Sequence, residues 1–155
     1  MIIRSIQSFF PIVDTIMEGC KNLAWIDLSH NYIVDLECVE FDLNQDFTEF
    51  PNLHSLSLHC NYIKDMREIV KLQAVPLLRS FTIHGNPIEN ISNFRLYIIA
   101  YLSNLKKIDT VLVSKKERDN ANVWIHSFRN VSLPMVKDAQ SPPEEGPLIL
   151  TDNNN

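Results

Sequence analysis

Glycine is scarce in this sequence, with three glycines among 155 residues. Loops that cradle phosphate groups need closely spaced glycines, and neither G-x-x-x-x-G-K-[ST] nor G-x-G-x-x-G is present. The serine-hydrolase pattern G-x-S-x-G and the zinc-protease pattern H-E-x-x-H are missing as well. We therefore expect a protein that is not an enzyme and has no cofactor or small-molecule substrate.

Cysteine is equally scarce, and long apolar runs are absent. Cys20, Cys38 and Cys60 are odd in number and lack C-x-x-C spacing, which argues against a disulfide framework. No apolar run approaches the ~20 residues that span a bilayer. The N-terminal stretch lacks the apolar core and cleavage site of a signal peptide. We expect a cytoplasmic protein in a reducing compartment, without a membrane partner.

A spaced pattern of apolar residues is what the sequence does contain. The stretch LAWIDLSHNYIVDL fits L-x-x-L-x-L-x-x-N-x-I-x-x-L, and two later stretches fit it in the same register. The three copies begin at Leu23, Leu53 and Leu78. Alternate residues of a strand point to one side, so the spaced leucines predict one short strand per copy over a common core.

Each copy has an asparagine at its ninth position: Asn31, Asn61 and Asn86. These asparagines fall where the chain leaves each strand, and an amide side chain both donates and accepts hydrogen bonds. We predict an asparagine ladder that satisfies backbone groups of the turn and of a neighbouring repeat.

This pattern is that of the leucine-rich repeat. It predicts an α/β fold: a short solenoid with a parallel curved sheet, convex loops and short helices, closed by a helical cap. We assign residues 23–91 to three repeats and residues 1–22 to an N-terminal cap. The first repeat is longer and carries an acidic insertion near residues 37–49, which is either a convex loop or a docking loop for a basic partner.

Beyond the repeats, residues 92–136 predict the C-terminal cap and a last helix. Apolar residues recur at helical spacing from Phe94 to Leu105, and a fourth strand is predicted to begin near Leu105. Ser114 and Glu117 form a capping box that would start the last helix. Its predicted buried stripe comprises Ala121, Trp124, Ile125 and Phe128. Residues 1–136 then make a single domain.

Segment 86–109 resembles the C-terminal cap of cytosolic leucine-rich-repeat proteins. The family pattern is N-P-[IV], then Y-R-x-Y-[VI], then L-P-x-L-x-x-[LI]-D. The corresponding segments here are NPI at 86–88, FRLYI at 94–98 and LSNLKKID at 102–109. Phe94 and Ser103 are mild departures. The segments at 22–29, 71–72, 76–80, 84–87 and 119–124 also resemble a member of this family, and that resemblance runs from about residue 22 to about residue 129, most of the domain.

Caps of this kind occur in axonemal dynein-associated, spliceosomal and phosphatase-regulatory proteins. The resemblance implies a non-enzymatic, cytoplasmic protein that binds other proteins. It points to a structural component of a ciliary or flagellar axoneme or of a microtubule assembly, with tubulin or axonemal proteins as partners. The alternative is an adaptor subunit of a ribonucleoprotein or phosphatase complex.

Charge is distributed unevenly along the chain. The net charge is −7 over residues 1–63, +5 over residues 64–136 and −3 over residues 137–155. The last stretch has the composition of an extended or disordered acidic tail. Sequence order is spatial order in a solenoid, so we expect an acidic N-terminal end and a basic C-terminal end. The overall charge of −5 argues against direct nucleic-acid binding.

The basic end is predicted to comprise Lys106, Lys107, Lys115, Lys116 and Arg118. These residues form either a solvated face or a docking surface for an acidic partner such as tubulin.

The third, fifth and seventh positions of each repeat should point away from the core, and we call the surface they form the concave face. It comprises Trp25, Asp27, Ser29, Ser55, Ser57, His59, Ser80, Thr82 and His84, and it continues to Lys107 and Asp109. Most of these side chains are small or form hydrogen bonds, so a partner can approach closely. Trp25 is the exception, and it either packs under the N-terminal cap or anchors a partner.

The residue types on the concave face could suggest a catalytic triad or a metal site. Asp27, Ser57 and His59 have the residue types of a catalytic triad, but nothing indicates an oxyanion hole, so we predict no catalysis. His59 and His84 should lie one strand apart, about 5 Å. Only Cys60 offers a further ligand, so we predict no metal site.

Overall fold

Short strands alternate with turns and helices along the repeats. The computed structural model describes residues 22–36, 51–127, 133–137, 139 and 141–142. The rest of the N-terminal cap, the acidic insertion and most of the tail lie outside the described residues. The strands are β1 Trp25–Asp27, β2 Ser55–Ser57, β3 Ser80–Thr82, β4 Lys107–Ile108 and β5 Val111–Leu112. The helices are α1 Met66–Lys71, α2 Phe94–Tyr101 and α3 Lys115–Ser127, with 3-10 turns at Leu72–Ala74 and Pro87–Asn90.

The strands form one sheet in chain order, from β1 to β5. β1 to β4 are parallel, and their register aligns equivalent repeat positions: Trp25, Ser55, Ser80 and Lys107 are neighbours in one row. The sequence prediction of parallel strands in the three repeats and a fourth in the cap is therefore confirmed. Strands of three residues are long enough to form this sheet, because each repeat adds only one short strand before the chain turns away.

Strand β5 was not predicted. It pairs antiparallel with β4, after a turn in which Asp109 adopts a left-handed conformation (φ 54°). Val111 and Leu112 are both exposed, so no alternation of apolar and polar residues marks them as a strand. Their pairing covers the backbone edge of β4, which would otherwise present open hydrogen-bonding groups.

The core lies on one face of the sheet, against the helices. The middle residue of each repeat strand is buried, namely Ile26, Leu56 and Phe81, and Ile108 of β4 is buried with them. The apolar residues that follow each turn, such as Ile33 and Ile63, join the same cluster. The leucine positions of the motif thus form the continuous core that the spacing predicts.

The asparagine ladder is present. Asn61 Nδ2 donates to the carbonyl of Leu58 in its own repeat (2.9 Å) and to that of Leu28 in the preceding repeat (2.9 Å). Its Oδ1 accepts from the backbone amide of Ile33 at 3.0 Å. Asn86 makes the equivalent bonds one repeat further on. Each amide therefore links its own turn to the preceding repeat and leaves no partner group unpaired.

The last helix begins as predicted. The backbone amide of Ser114 donates to Glu117 Oε2 at 2.8 Å, and the Ser114 hydroxyl accepts from the amide of Glu117 at 3.2 Å. Hydrogen bonds from the Ser114 amide and from Arg95 lower the pKa of Glu117 to about 2. Ala121 of the predicted stripe is buried and Trp124 is half-buried. Phe128 of that stripe lies outside the described residues.

A segment beyond the last helix returns to the repeats. The amide of Met66 donates to Pro134 (3.2 Å), that of Val136 donates to Lys64 (2.9 Å), and Met135 pairs with Asp65. Residues 133–137 thus run beside the turn that precedes α1. Among the described helices, none has the length and apolar character needed to cross a membrane.

The ladder gives a direct test of the fold. Asn61→Ala removes the partners of buried backbone groups in two repeats, and each such loss costs about 1–3 kcal/mol. We expect the free energy of unfolding to fall by about 3 kcal/mol, against a typical total of about 5–15 kcal/mol. Denaturant titration measures this difference.

Asn52→Ala is the matched control. Asn52 is exposed and bonds only to the side chain of Asn22 among the described residues, at 3.2 Å. Its loss should change stability by less than about 0.5 kcal/mol. Equal effects of the two substitutions would contradict the role assigned to the ladder.

Candidate functional site on the concave face

The register of the sheet brings the predicted concave-face residues into rows. Trp25 of β1 lies beside Ser55 of β2 and exposes 44% of its surface. Ser55 and Ser80 are half-buried, and His84 is exposed. Ser29 and Ser57 are more enclosed than the pattern suggested, since both are buried. Their hydroxyl groups therefore act mainly as hydrogen-bond partners of neighbouring side chains.

Three side chains form a hydrogen-bonded chain between neighbouring repeats. The Thr82 hydroxyl donates to Ser57 Oγ at 2.6 Å, and Ser57 Oγ lies 2.8 Å from His59 Nδ1. Asp27 lies beside this chain, and its backbone neighbour Ser29 donates an amide hydrogen to Asp27 Oδ1 at 2.9 Å. Burial alone would raise the pKa of Asp27, but hydrogen bonds from Ser29 and Ser57 outweigh it and hold that pKa below its ordinary value.

The Ser57 hydroxyl links Thr82 to His59. A hydroxyl group has one hydrogen to donate and two lone pairs to accept with. Ser57 Oγ accepts the Thr82 hydrogen and is hydrogen-bonded to His59 Nδ1 as well. Nδ1 of His59 is therefore engaged within this chain.

The three residues with the side chains of a catalytic triad lie near one another, but they lack the contacts of a triad. In a serine hydrolase the histidine hydrogen-bonds to both the serine and the carboxylate. Among the described residues, His59 hydrogen-bonds to Ser57 but not to Asp27, and Ser57 is buried.

Three imidazole rings continue the row. The rings of His59 and His84 are stacked with centroids 4.6 Å apart, which confirms their predicted adjacency. His30, which was not among the predicted residues, packs edge-on against His59 at 5.0 Å. Its position in the repeat could have identified it, because His30 is the eighth residue of its copy and is thus equivalent to Cys60 and Gly85 in the next two copies.

The electrostatics of the row favour a neutral His59. Burial lowers the pKa of His59, and the neighbouring rings of His84 and His30 lower it further, whereas Asp27 and Asp109 act in the opposite direction. Asp109 also fixes the edge of the row, because its Oδ1 accepts from the amides of Ile83 (2.8 Å) and His84 (3.0 Å).

The predicted basic end is smaller in the structure. Lys106, Lys107, Lys115 and Lys116 are exposed. Arg118 does not join them, because its guanidinium donates to the carbonyls of Ile99 (2.5 Å), Leu102 (3.2 Å) and Leu105 (2.5 Å). Carbonyls at the end of a helix lack partners within the helix. Arg118 therefore completes the end of α2, and the sequence alone gave no sign that it turns inward.

The chain belongs to the leucine-rich-repeat family. A family model described as Leucine-rich repeat matches residues 41–138, which is well over half of the chain. This match confirms the family proposed from the motif. Proteins of this family are typically non-catalytic interaction modules, and the family that matches is not a family of enzymes.

Particular relatives are similar over most of this chain. Leucine-rich repeat-containing protein 51 of Bos taurus is 38% identical over 123 residues, and its human counterpart is 37% identical; each alignment covers 79% of this chain and 60% of the relative. U2 small nuclear ribonucleoprotein A' of Arabidopsis thaliana is 31% identical, over 72% of this chain and 51% of that protein. The chain thus spans about 60% of the length of the leucine-rich repeat-containing protein 51 relatives.

Solved structures confirm the solenoid fold. The Mex67 leucine-rich-repeat domain of Chaetomium thermophilum has a TM-score of 0.58 at 20% identity, over 73% of this chain and 81% of that one. A chain of the Drosophila melanogaster SNF/U2A' complex has a TM-score of 0.55 at 20% identity, over 68% and 70%. The protein is a short α/β leucine-rich-repeat solenoid.

The lowered pKa of His59 predicts a pH dependence of stability. As the pH falls from about 7.5 to about 5.5, the unfolded chain takes up a proton near the ordinary value of 6.5, while folded His59 resists protonation. The unfolded state then binds more protons, so stability is present above pH 6.5 and decreases on acidification. Melting temperatures across this range measure the slope, and His59→Gln should flatten it.

The exposed His54 provides the control for this slope. His54→Gln should keep the slope of the unsubstituted protein. If His59→Gln leaves the slope unchanged, the burial of a neutral His59 is not its source.

Proposed function

We propose that this protein binds a protein partner on its concave face as a structural component of a cytoplasmic, microtubule-based assembly, namely a ciliary or flagellar axoneme. The exposure of Trp25 on β1 carries this proposal. Tryptophan is enriched among residues that dominate protein interfaces, because it offers a large rigid surface at low entropic cost.

The neighbours of Trp25 suit a close approach. Ser55 and Ser80 continue its row on the next two strands, and both have short side chains. Beside them lie Asp27 and the hydrogen-bonded hydroxyl groups of Ser57 and Thr82. A partner helix or strand can place an apolar side chain against Trp25 and polar groups against these residues, which is the arrangement of an apolar anchor beside polar contacts found in stable interfaces.

The basic end supports an acidic partner such as tubulin. The amide of Val113 donates to the carbonyl of Lys106 at 2.9 Å, so the β4–β5 hairpin brings Lys106 and Lys107 close to the start of α3. Lys115 and Lys116 follow there. Glu117 is engaged by Arg95 at 2.9 Å and does not neutralise these lysines. Four exposed lysines thus share one end of the described domain.

An adaptor role in a ribonucleoprotein is the second candidate, and one comparison favours it. The similarity to U2 small nuclear ribonucleoprotein A' suggests that the fold here also holds a protein partner within such a particle. The overall charge of −5 argues that contact with RNA would be made by that partner. Localisation of a tagged protein separates the candidates, since an axonemal component concentrates in the cilium and a spliceosomal adaptor in the nucleus.

Trp25→Ala tests the proposed anchor. Because 44% of its surface is exposed and it lies outside the core, its loss should lower the melting temperature only slightly. Affinity for the partner recovered by affinity purification should fall by about 2 kcal/mol or more, roughly 30-fold in Kd. The exposed His54→Ala is the control and should bind normally. Normal binding by a folded Trp25→Ala protein would exclude the anchor.

Charge reversal tests the basic end. Lys106→Glu with Lys107→Glu should weaken binding to an acidic partner, and binding of the unsubstituted protein should weaken steeply between about 50 mM and about 500 mM salt. Lys137→Glu, at an exposed lysine outside this group, should have little effect. Salt-independent binding would show that the lysines serve solubility.

A further inference from the structure

The eighth position of each repeat has an unusual backbone. His30 and Cys60 both adopt a left-handed conformation with φ 55°, and Gly85 holds the same position with φ 73°. Glycine adopts this conformation without strain, whereas residues with a side chain seldom do. Strained residues of this kind cluster at binding sites. The first two repeats thus have a residue with a side chain in a backbone conformation that favours glycine. Both of these side chains can ligate a metal.

The backbone holds these positions close together. The amide of His30 donates to the carbonyl of His59 at 3.0 Å, and that of Cys60 donates to the carbonyl of His84 at 2.8 Å. Adjacent strands lie about 4.8 Å apart, so equivalent positions of neighbouring repeats face each other. Gly85 also leaves room for the thiol, because a Cβ at that position would lie 3.0 Å from Cys60 Sγ.

We propose that His30, His59 and Cys60 form a binding site for Zn²⁺ or a dication of similar softness, with a fourth position open to solvent. One ligand atom from each residue lies within 4.8 Å of the other two. In a tetrahedral site with metal–nitrogen distances of about 2.0–2.1 Å and a metal–sulfur distance of about 2.3 Å, ligand atoms are roughly 3.3–3.8 Å apart. A closure of about 1 Å completes the geometry, and His30 is exposed and can make that movement.

The surroundings prepare His59 to be a ligand. Its Nδ1 is hydrogen-bonded to Ser57 at 2.8 Å, which leaves Nε2 as the nitrogen to bind the metal. Metal-binding histidines usually have such an outer partner, which fixes the ring and the tautomer.

The ligand set selects the class of metal. Two imidazoles and one thiolate suit Zn²⁺ or copper, whereas Mg²⁺ and Ca²⁺ prefer oxygen ligands. The sequence prediction of no metal site rested on two histidines and one cysteine, without His30. The inference stands independently of the proposed partner, because all three ligands come from this chain.

Cobalt titration of the full chain, purified free of metal under reducing conditions, tests the site. One equivalent of Co²⁺ should produce thiolate-to-cobalt charge-transfer absorption, and Zn²⁺ should displace it. Zn²⁺ should also raise the melting temperature, and Mg²⁺ should not. Absence of the charge-transfer band, or Zn²⁺ binding weaker than about millimolar, would overturn the proposal.

Variants locate the metal. Cys60→Ser should abolish the charge-transfer band. His30→Asn, which tolerates a left-handed backbone, and His59→Gln should each raise the Kd for Zn²⁺ by more than the roughly 10–100-fold expected of Ser57→Ala, which removes the outer partner. The Cys20→Ser, Cys38→Ser double variant and His54→Gln are controls that should bind normally.

The variants can either support or refute the proposed metal site. A band that survives Cys60→Ser and disappears in the double variant would place the metal elsewhere and refute the site. Circular dichroism and melting establish that each variant is folded. If Cys60→Ser is unfolded, the rise in melting temperature with Zn²⁺ decides the question through His30→Asn, which should lose most of that rise.

Discussion

Buried asparagine side chains hold this solenoid together, and the remaining structure depends on them. Three-residue strands provide few backbone hydrogen bonds, so the turns that follow must find partners for their amides and carbonyls. Asn61 and Asn86 supply those partners inside the core and fix each repeat against the preceding one. Because an unpaired buried polar group is costly, this bonding specifies one register for the whole stack.

The fixed register also organises the outward surface. Positions that are equivalent in sequence become neighbours in space, so Ser57 reaches Thr82 on the adjacent strand and the ring of His59 stacks on that of His84. A polar network and a row of imidazoles therefore arise from the repeat itself. The exposed Trp25 at the first strand adds the large apolar surface that an interaction module needs. The register of the strands therefore determines both the buried core and the outward surface.

The C-terminal cap solves a different problem, because a stack of strands must end. Asp109 replaces the next repeat by accepting the amides of Ile83 and His84, and β5 covers the last strand. Arg118 satisfies the carbonyls at the end of α2 from the facing helix. Because the guanidinium of Arg118 is turned inward, the cap is less basic on its surface than its composition suggests.

The sequence by itself determined the repeats, their strands, the asparagine ladder and the capping box at Ser114, because each depends on spacing along the chain. It also predicted the outward row that contains His59 and His84. Tertiary structure alone decided that Ser57 is buried, that His59 hydrogen-bonds to Ser57, and that His30 lies close to Cys60. It also decided that Arg118 turns inward. The physical reason is that periodicity fixes which face a residue occupies, whereas hydrogen-bond order and side-chain proximity depend on neighbours distant in sequence.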